Sequence, residues 1–182
     1  MDLKTLHIYS RPKLVEQCVA ACKEGKVVIL YGGVKIGKST LAELVRRRLS
    51  NLLIYEDIPD VNLDNLIRFC CQKNSRSCAS IITTQGPLNT TVSLVDTSRI
   101  VQIEVPLLND EEIAELIDTY SPSRDYTRFI KAHTCGHPVL VKTLCSYLSS
   151  CNWIVDETVF AKMLNLKFMN RVQPYLHYNR IG

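Results

Sequence analysis

The pattern of hydrophobic and polar positions changes character partway along the chain. Up to residue 106, short unbroken apolar runs alternate with stretches whose apolar residues recur at helical spacing. Unbroken runs are typical of strands buried on both faces. They predict strands at Val27–Tyr31, Leu52–Tyr55, Ala79–Thr83 and Ile100–Val105. The stretches between them predict helices at residues 11–24, Lys38–Leu49 and Leu63–Lys73. Such alternation predicts a parallel sheet covered by helices.

Beyond Pro106 the pattern is helical throughout. Asn109 is a favoured N-cap residue, and Glu111 and Glu112 place negative charge in the first turn, where it suits the helix dipole. Further helices are predicted at about 124–134, 138–150, 156–165 and 167–178. We therefore expect an α/β domain over residues 1–106 and a small all-helical domain, a lid, over residues 107–182.

Composition places the chain among soluble globular proteins. Its 182 residues are 46% hydrophobic and 22% charged, which argues against a disordered, collagen-like or coiled-coil chain. The longest purely apolar run, Val27–Tyr31, is far shorter than the roughly 20 residues that span a bilayer. Residues 1–4 lead into no apolar signal segment. We expect a cytoplasmic protein that does not engage membranes.

Charge and cysteine content point to no special class. The net charge of +4 permits contact with phosphate without requiring a nucleic acid, so a nucleic-acid partner is not expected. The run Arg46–Arg48 is interpreted as a solvated helix end, where cations suit the dipole. The eight cysteines include no C-x-x-C pair, and we expect them to be free, mostly buried thiols.

The sharpest motif lies between the first strand and the next helix. Gly32–Ser39 matches G-x-x-x-x-G-K-S at every fixed position. Glycines let successive backbone N–H groups curl around one anion, and the helix N-terminus adds a positive dipole end. Lys38 is expected to reach the β- and γ-phosphates of a nucleotide, and Ser39 to coordinate Mg²⁺. The predicted cradle comprises Gly32, Gly33, Val34, Lys35, Ile36, Gly37, Lys38, Ser39 and Thr40.

Acidic and polar residues follow two later strands. Glu56 and Asp57 come directly after Leu52–Tyr55, and ligands gather at the carboxyl ends of strands in open α/β sheets. We expect Glu56 to hold Mg²⁺ and Asp57 to share that role and polarise an attacking water; the alternative is that both acids begin a solvated loop. Thr84 and Gln85 end another strand and are candidates to contact the γ-phosphate, a weak signal because threonine is ordinary in strands.

Taken in order, the segments resemble the STAND class of P-loop NTPases, the AAA+-related signalling ATPases that include the NACHT and NB-ARC types. The matching segments are Ile8–Pro12, Gly32–Ser39, Leu52–Asp57, Ile81–Gln85, Ile103–Glu112 and Cys135–Leu140. The resemblance implies that Arg11 lies near the adenine, that Glu56 and Asp57 end a Walker B strand, and that Pro138 packs near the base.

The resemblance also implies a function. A P-loop sheet of about four strands with a helical lid would bind ATP or ADP with Mg²⁺, act as a conformational switch and hydrolyse ATP slowly. Lys38, Glu56 and Asp57 would carry that hydrolysis. The resemblance also implies that the chain forms homo-oligomers on activation and acts together with additional effector or sensor domains.

Three departures from the family pattern leave alternatives open. Relatives have an additional strand and helix between Walker A and Walker B; either that edge strand is lost here, or Leu52–Tyr55 is that strand and no true Walker B exists. Gln85 stands where arginine is usual, and the chain ends at Gly182 before any winged-helix or repeat domain. A degenerate scaffold without turnover, a small-molecule kinase and a DNA-associated AAA+-type ATPase remain as rival functions.

Overall fold

The computed structural model describes residues 10–58, 60–74, 78–88, 97–120 and 126–154. The strands are β1 (Val27–Tyr31), β2 (Leu52–Tyr55), β3 (Ala79–Thr84) and β4 (Ile100–Glu104). The helices are α1 (Pro12–Lys23), α2 (Lys38–Arg46), α3 (Asp60–Lys73), α4 (Asp110–Asp118), α5 (Thr127–Thr134) and α6 (Pro138–Ser150), with a short 3₁₀ helix at Thr97–Arg99. The helices predicted at 156–165 and 167–178 lie outside the described residues.

The four strands form one sheet in the order β2-β3-β1-β4, and every pairing is parallel. β1 is central because its sequence, VVILY, is apolar on both sides, and its first four residues are buried. This confirms the expected parallel sheet of about four strands flanked by helices.

The register brings the ends of the strands together at common edges of the sheet. Tyr31, the last residue of β1, is level with Thr84 and with Glu104, and Tyr55 of β2 is level with Ile82. We call this edge the carboxyl edge and the opposite one, where each strand begins, the amino edge. The residues that follow β1, β2 and β3 therefore share the carboxyl edge.

Helices cover the sheet because alternate strand residues face opposite sides. Val27, Ile29 and Ile82 pack with Leu63 and Ile67 of α3 in one buried cluster. α1 packs against α2, β1 and β3, and α2 also packs against β3. The helix bounds differ slightly from the prediction: α2 ends at Arg46, before Leu49, and α3 begins at Asp60, before Leu63.

By their internal contacts, the described residues divide into two compact units. The first, here called the sheet unit, comprises residues 11–33 and 37–106; the second, the helical unit, comprises Ser10, Val34–Ile36 and residues 107–154. The core of the helical unit is formed by Leu108 and by apolar residues of α4, α5 and α6. The lid role and the domain boundaries proposed from the sequence remain predictions.

The eight cysteines are free thiols, and Cys18, Cys22, Cys70, Cys71 and Cys145 are buried. Burial raises the pKa of Cys18, Cys22 and Cys145 to about 12, so these thiols are inert small apolar groups at neutral pH. Within the described ranges, no group of three or more histidine, cysteine or acidic residues is arranged to hold a metal. No helix in those ranges has the length and apolar character to cross a membrane.

Candidate functional site

The glycine-rich turn joins the end of β1 to the start of α2. Gly32 has a φ of 141° and Gly37 a φ of 98°, values that a side chain would strain. Lys35, between them, also has a positive φ of 56°. The backbone therefore curls in the way that the motif predicts.

Lys38 turns inward at the first position of α2. Its Nζ donates hydrogen bonds to the carbonyl oxygens of Gly32 and Gly33, each at 2.8 Å, and the residue is only 6% exposed. Burial lowers the pKa of Lys38, while the negative charge of Asp57 acts in the opposite direction and raises it. The turn thus holds a partly desolvated ammonium group, the kind of cation that gains most from an approaching anion.

The first turn of α2 supplies unused backbone donors. The N–H of Leu41 donates to the carbonyl oxygen of Gly37 at 2.9 Å, which is the first hydrogen bond of the helix. The amides of residues 38–40 precede that ladder and have no acceptor within the helix. Gly37, as N-cap, has no side chain to cap them. Together with the positive end of the dipole, these amides form an anion-binding terminus.

The acidic end of β2 is tied to the end of β3. Glu56 and Asp57 are both exposed. The N–H of Asp57 donates to Thr83 Oγ1 at 2.9 Å, the next N–H, of Ile58, donates to the carbonyl oxygen of Thr83 at 3.2 Å, and Asp57 has a φ of 49°. Sequence reasoning missed this role of Thr83; a hydroxyl directly after the apolar pair Ile81 and Ile82 was the available signal.

The order of the strands in the sheet bears on whether β2 is a Walker B strand. β2 pairs directly with β3, and β3 separates it from β1. Asp57 lies near enough to Lys38 for its charge to affect the pKa of the lysine. Asp57 thus lies near Lys38, while the Walker B role of β2 remains a prediction.

Thr84 and Gln85, the two polar residues at the end of β3, differ in solvent exposure. Thr84 is 1% exposed, and its Oγ1 donates to the carbonyl oxygen of Gly86 at 2.7 Å. Its hydroxyl proton is therefore engaged within the chain. Gln85 is exposed. Contact of either residue with a γ-phosphate remains a prediction.

Arg11 and Pro138 are both buried, in different units. Arg11 is 2% exposed, and its Nη2 donates to the carbonyl oxygen of Pro106 at 2.8 Å, within the sheet unit. Pro138 is the first residue of α6, where its fixed φ suits a helix start. Their roles near adenine remain predictions, and in this conformation the Arg11 guanidinium fastens the start of α1 to the chain after β4.

Within the helical unit, His137 holds the tip of the glycine-rich turn. Its Nε2 lies 3.2 Å from the carbonyl oxygen of Val34, and the residue is 4% exposed. Burial lowers the pKa of His137, and the hydrogen bond to Val34 raises it in partial compensation. The ring is therefore neutral at pH 7 and donates Nε2–H to the turn. The two residues are 103 positions apart, so no sequence pattern indicates this contact.

A magnesium site would draw on few protein atoms. Mg²⁺ commonly keeps several waters and takes only one or two side-chain oxygens beside those of phosphate. The predicted ligands Ser39, Glu56 and Asp57 are exposed oxygen donors of the right chemistry. The metal role of these residues remains a prediction.

Comparison with known proteins identifies similar structures. No family model matches the chain, and no curated protein matches it. The RuvB Holliday junction branch migration motor of Thermotoga maritima matches with a TM-score of 0.52 and 14% identity over 76% of this chain and 61% of its own. A point variant of that motor matches with a TM-score of 0.51 and 15% identity, over 74% and 59% of the two chains.

A third match is a signal transduction ATPase with numerous domains and a tetratricopeptide repeat sensor, from Pyrococcus horikoshii. Its TM-score is 0.46 at 15% identity, over 69% of this chain and 28% of its own. This chain therefore spans about three fifths of the length of the RuvB chain and a smaller part of the STAND protein. At this level of identity the RuvB likeness concerns the fold, and the chain has the fold of the P-loop NTPases.

Proposed function

We propose that this chain is a nucleotide-binding P-loop module that takes ATP or ADP with Mg²⁺ and works as a STAND-type conformational switch with slow hydrolysis. Lys38 and the amides of residues 32–40 would hold the phosphates. Ser39, Glu56 and Asp57 would hold Mg²⁺, which when bound supplies charge neutralisation at the phosphates. Arg11 and Pro138 would contact the base, and Thr84 and Gln85 the terminal phosphate.

The position of Lys38 carries this proposal. A lysine that is 6% exposed and bonded to two carbonyl oxygens of a glycine turn has no structural partner of opposite charge in hydrogen-bond contact among the bonds described. It stands at a helix N-terminus whose first amides are also unsatisfied within the helix. A buried ammonium group is costly in a folded domain unless an anion completes its contacts, and the helix amides offer donors to the same anion.

Calorimetric titration of Mg·ATP tests the proposal. We expect Lys38→Ala to weaken binding by at least about a hundredfold, because a charge-assisted contact to phosphate is worth roughly 3 kcal/mol. Lys13→Gln is the matched control, since it removes an exposed cation at the start of α1, outside the proposed site; its affinity should stay within about threefold. Unchanged affinity in Lys38→Ala, or absence of binding to the wild-type chain, would contradict the proposal.

Identification of retained nucleotide gives a second test. Mass spectrometry of the denatured, purified protein should find ADP or ATP at near-stoichiometric amounts, as expected of a switch that holds its ligand tightly. Recovery of a guanine nucleotide alone would overturn the adenine assignment.

Phosphate release tests turnover and separates the rival functions. A slow ATPase should release phosphate without any acceptor, and Asp57→Asn should abolish that release. A small-molecule kinase would form a phosphorylated acceptor. The scaffold alternative has an observation in its favour: the Thr84 hydroxyl donates to Gly86, and Gln85 stands where the family places arginine. In that case phosphate release would be at background in both wild type and Asp57→Asn.

The switch proposal also makes assembly measurable. Light scattering of the protein with ADP and with a non-hydrolysable ATP analogue should show a larger assembly in the second case. Identical masses in both would argue for a monomeric nucleotide-binding module.

A further inference from the structure

Positively charged side chains of the sheet unit converge on the amino edge of the sheet. In a parallel α/β sheet each connection must return to the edge where the next strand begins, so the residues before every strand share one edge. The seven cationic residues in these positions are Lys23 and Lys26 before β1, Arg46, Arg47 and Arg48 before β2, Lys73 before β3, and Arg99 before β4. The sequence shows only the arginine run as a cluster; the topology adds the rest.

Hydrogen bonds around Asn74 confirm that distant segments meet there. Asn74 is buried, and its Nδ2 donates to the carbonyl oxygen of Lys26 at 3.1 Å. Nη2 of Arg99 donates to the carbonyl oxygen of Asn74 at 3.3 Å, and Lys73 is the adjacent residue. The segments that carry the cations before β1, β3 and β4 therefore meet at Asn74.

A small cavity links the ends of α1 and α2 at the same edge. It has a volume of about 150 Å³ and is lined by Lys23, by Leu49, Ser50 and Asn51 after α2, and by Cys78 before β3, among others. Lys23 of α1 thus shares a surface with the segment that follows the arginine run.

The charge at this edge exceeds what the helices require. Among the described residues of these connections, the acids are Glu24, which pairs with Lys26 at 2.7 Å, and Glu43, which pairs with Arg46. Seven cations against two acids leave five net positive charges. The C-termini of three helices offset only about 1.5 of them, at roughly 0.5 each. By contrast, Glu56, Asp57 and Glu104 stand at the carboxyl edge.

We propose that the amino edge binds the phosphate backbone of a nucleic-acid duplex without regard to sequence, on the side of the sheet remote from the glycine-rich turn. Five of its cations, Lys23, Arg46, Arg47, Arg48 and Lys73, are exposed, and Arg46 is paired with Glu43. They are interspersed with exposed hydroxyl and amide side chains, namely Ser50, Asn51, Gln72, Thr97 and Ser98.

The chemistry of this surface favours a duplex over the other polyanions. Phosphate contacts are made by Arg, Lys, Ser, Thr, Asn and Gln, whereas the centres of protein interfaces are depleted of charged residues. Single-stranded nucleic acid is usually held by stacking on aromatic side chains. The exposed aromatic in the described part of α3, Phe69, already carries Lys73 Nζ over its ring at 5.9 Å.

Fluorescence anisotropy with a labelled DNA duplex of about 20 base pairs, between about 50 and 200 mM salt, tests the proposal. The logarithm of the affinity should fall against the logarithm of salt with a slope of about −3 to −5, since each phosphate contact contributes about −0.9. Lys23→Gln/Arg47→Gln should weaken binding by at least about tenfold and reduce the slope by about 2.

The control is Lys13→Gln/Arg128→Gln, which removes the same net charge from exposed residues elsewhere. Lys13 lies at the opposite end of α1 from Lys23, and Arg128 lies in α5. The control should change the affinity by less than about threefold, and melting curves of both variants establish that they are folded. The assay contains no nucleotide, so its outcome is independent of the function proposed above.

Three results would overturn the inference. They are a slope near zero, an equal loss of affinity in the control, and a single strand of the same length bound more tightly than the duplex. The last result would assign the edge to single-stranded nucleic acid instead.

Discussion

Lys38 is the residue whose charge state should govern phosphate binding. Its pKa is lowered by burial, and the Asp57 carboxylate counteracts that effect. Because only the ammonium form attracts phosphate, affinity for Mg·ATP should fall as pH rises, and the fall should begin below the ordinary titration range of lysine. Asp57→Asn removes the opposing charge and should move the fall to lower pH. Titration calorimetry across the alkaline range measures both curves; coincident curves would contradict the electrostatic link between the two residues.

Gly136 fixes the backbone where α5 gives way to α6. It has a φ of +80°, and a Cβ there would lie 2.3 Å from the carbonyl oxygen of Leu108. That carbonyl also accepts a bond from Lys131 Nζ at 2.7 Å, and the N–H of Leu108 donates to the carbonyl oxygen of Gly136 at 2.8 Å. The backbone of Leu108 is thus fixed by hydrogen bonds at both its N–H and its carbonyl group, so it cannot shift to make room for a Cβ.

Gly136→Ala should therefore lower the free energy of unfolding by about 2 to 4 kcal/mol, the cost of left-handed backbone strain plus overpacking. Gly86→Ala is the matched control, because a Cβ at that glycine meets nothing within 4 Å. Urea denaturation of the two variants measures the difference. Equal midpoints would show that the backbone at Leu108 yields easily.

Between elements, Asn74 joins the end of α3 to the strands that it covers. Its Oδ1 accepts from Ser80 Oγ at 2.6 Å while its Nδ2 donates to the carbonyl oxygen of Lys26. Ser80 is fully buried in β3. Removing the amide leaves polar groups on both β3 and the α1–β1 connection without this partner.

Asn74→Leu should cost about 2 kcal/mol or more, because each buried group that loses its partner costs about 1 to 3 kcal/mol. Ser80→Ala in the same background should then cost less than it does alone, since the hydroxyl no longer has its bond to lose. A double-mutant cycle in urea gives the coupling. Additive losses would mean that the two side chains contribute independently.

At the scale of the whole molecule, nucleotide binding should raise the free energy of unfolding. Binding to the folded state alone raises the free energy of unfolding by about 2.7 kcal/mol at a hundredfold excess over Kd. For a chain of this size that corresponds to about 5 to 10 °C in Tm. The shift should require Mg²⁺, disappear with chelator and be absent in Lys38→Ala. An equal shift in that variant would place the nucleotide elsewhere.

The strands and their pairing type could be predicted from the sequence because unbroken apolar runs leave few alternatives. The four predicted strands match the observed ones within one residue at either end, and α6 matches its predicted bounds. Helix ends were less certain. α3 begins at Asp60, in a polar stretch that also reads as a loop, and α2 ends at Arg46, where no glycine marks the stop.

The candidate site likewise has a part that the sequence predicts and a part that it does not. The turn around Lys38 is local in sequence, so its motif identifies it. Other contacts near the site are not local: Thr83 accepts from the N–H of Asp57 after β2, and within the helical unit His137 bonds to Val34. Such long-range hydrogen bonds leave no periodic pattern, and the convergence of cations at the amino edge emerges only from the topology.

The central place of β1 has a consequence for biosynthesis. Val27 pairs with Ser80 on one side and with Ile100 on the other, so this strand leaves the ribosome long before either neighbour exists. At about 5 to 20 residues per second, VVILY waits about 4 to 15 s for its second neighbour. An apolar, uncharged segment of this kind is prone to self-association while it waits. Yield at 37 °C should accordingly depend on the rate of translation and on chaperone supply more than on the stability of the finished fold.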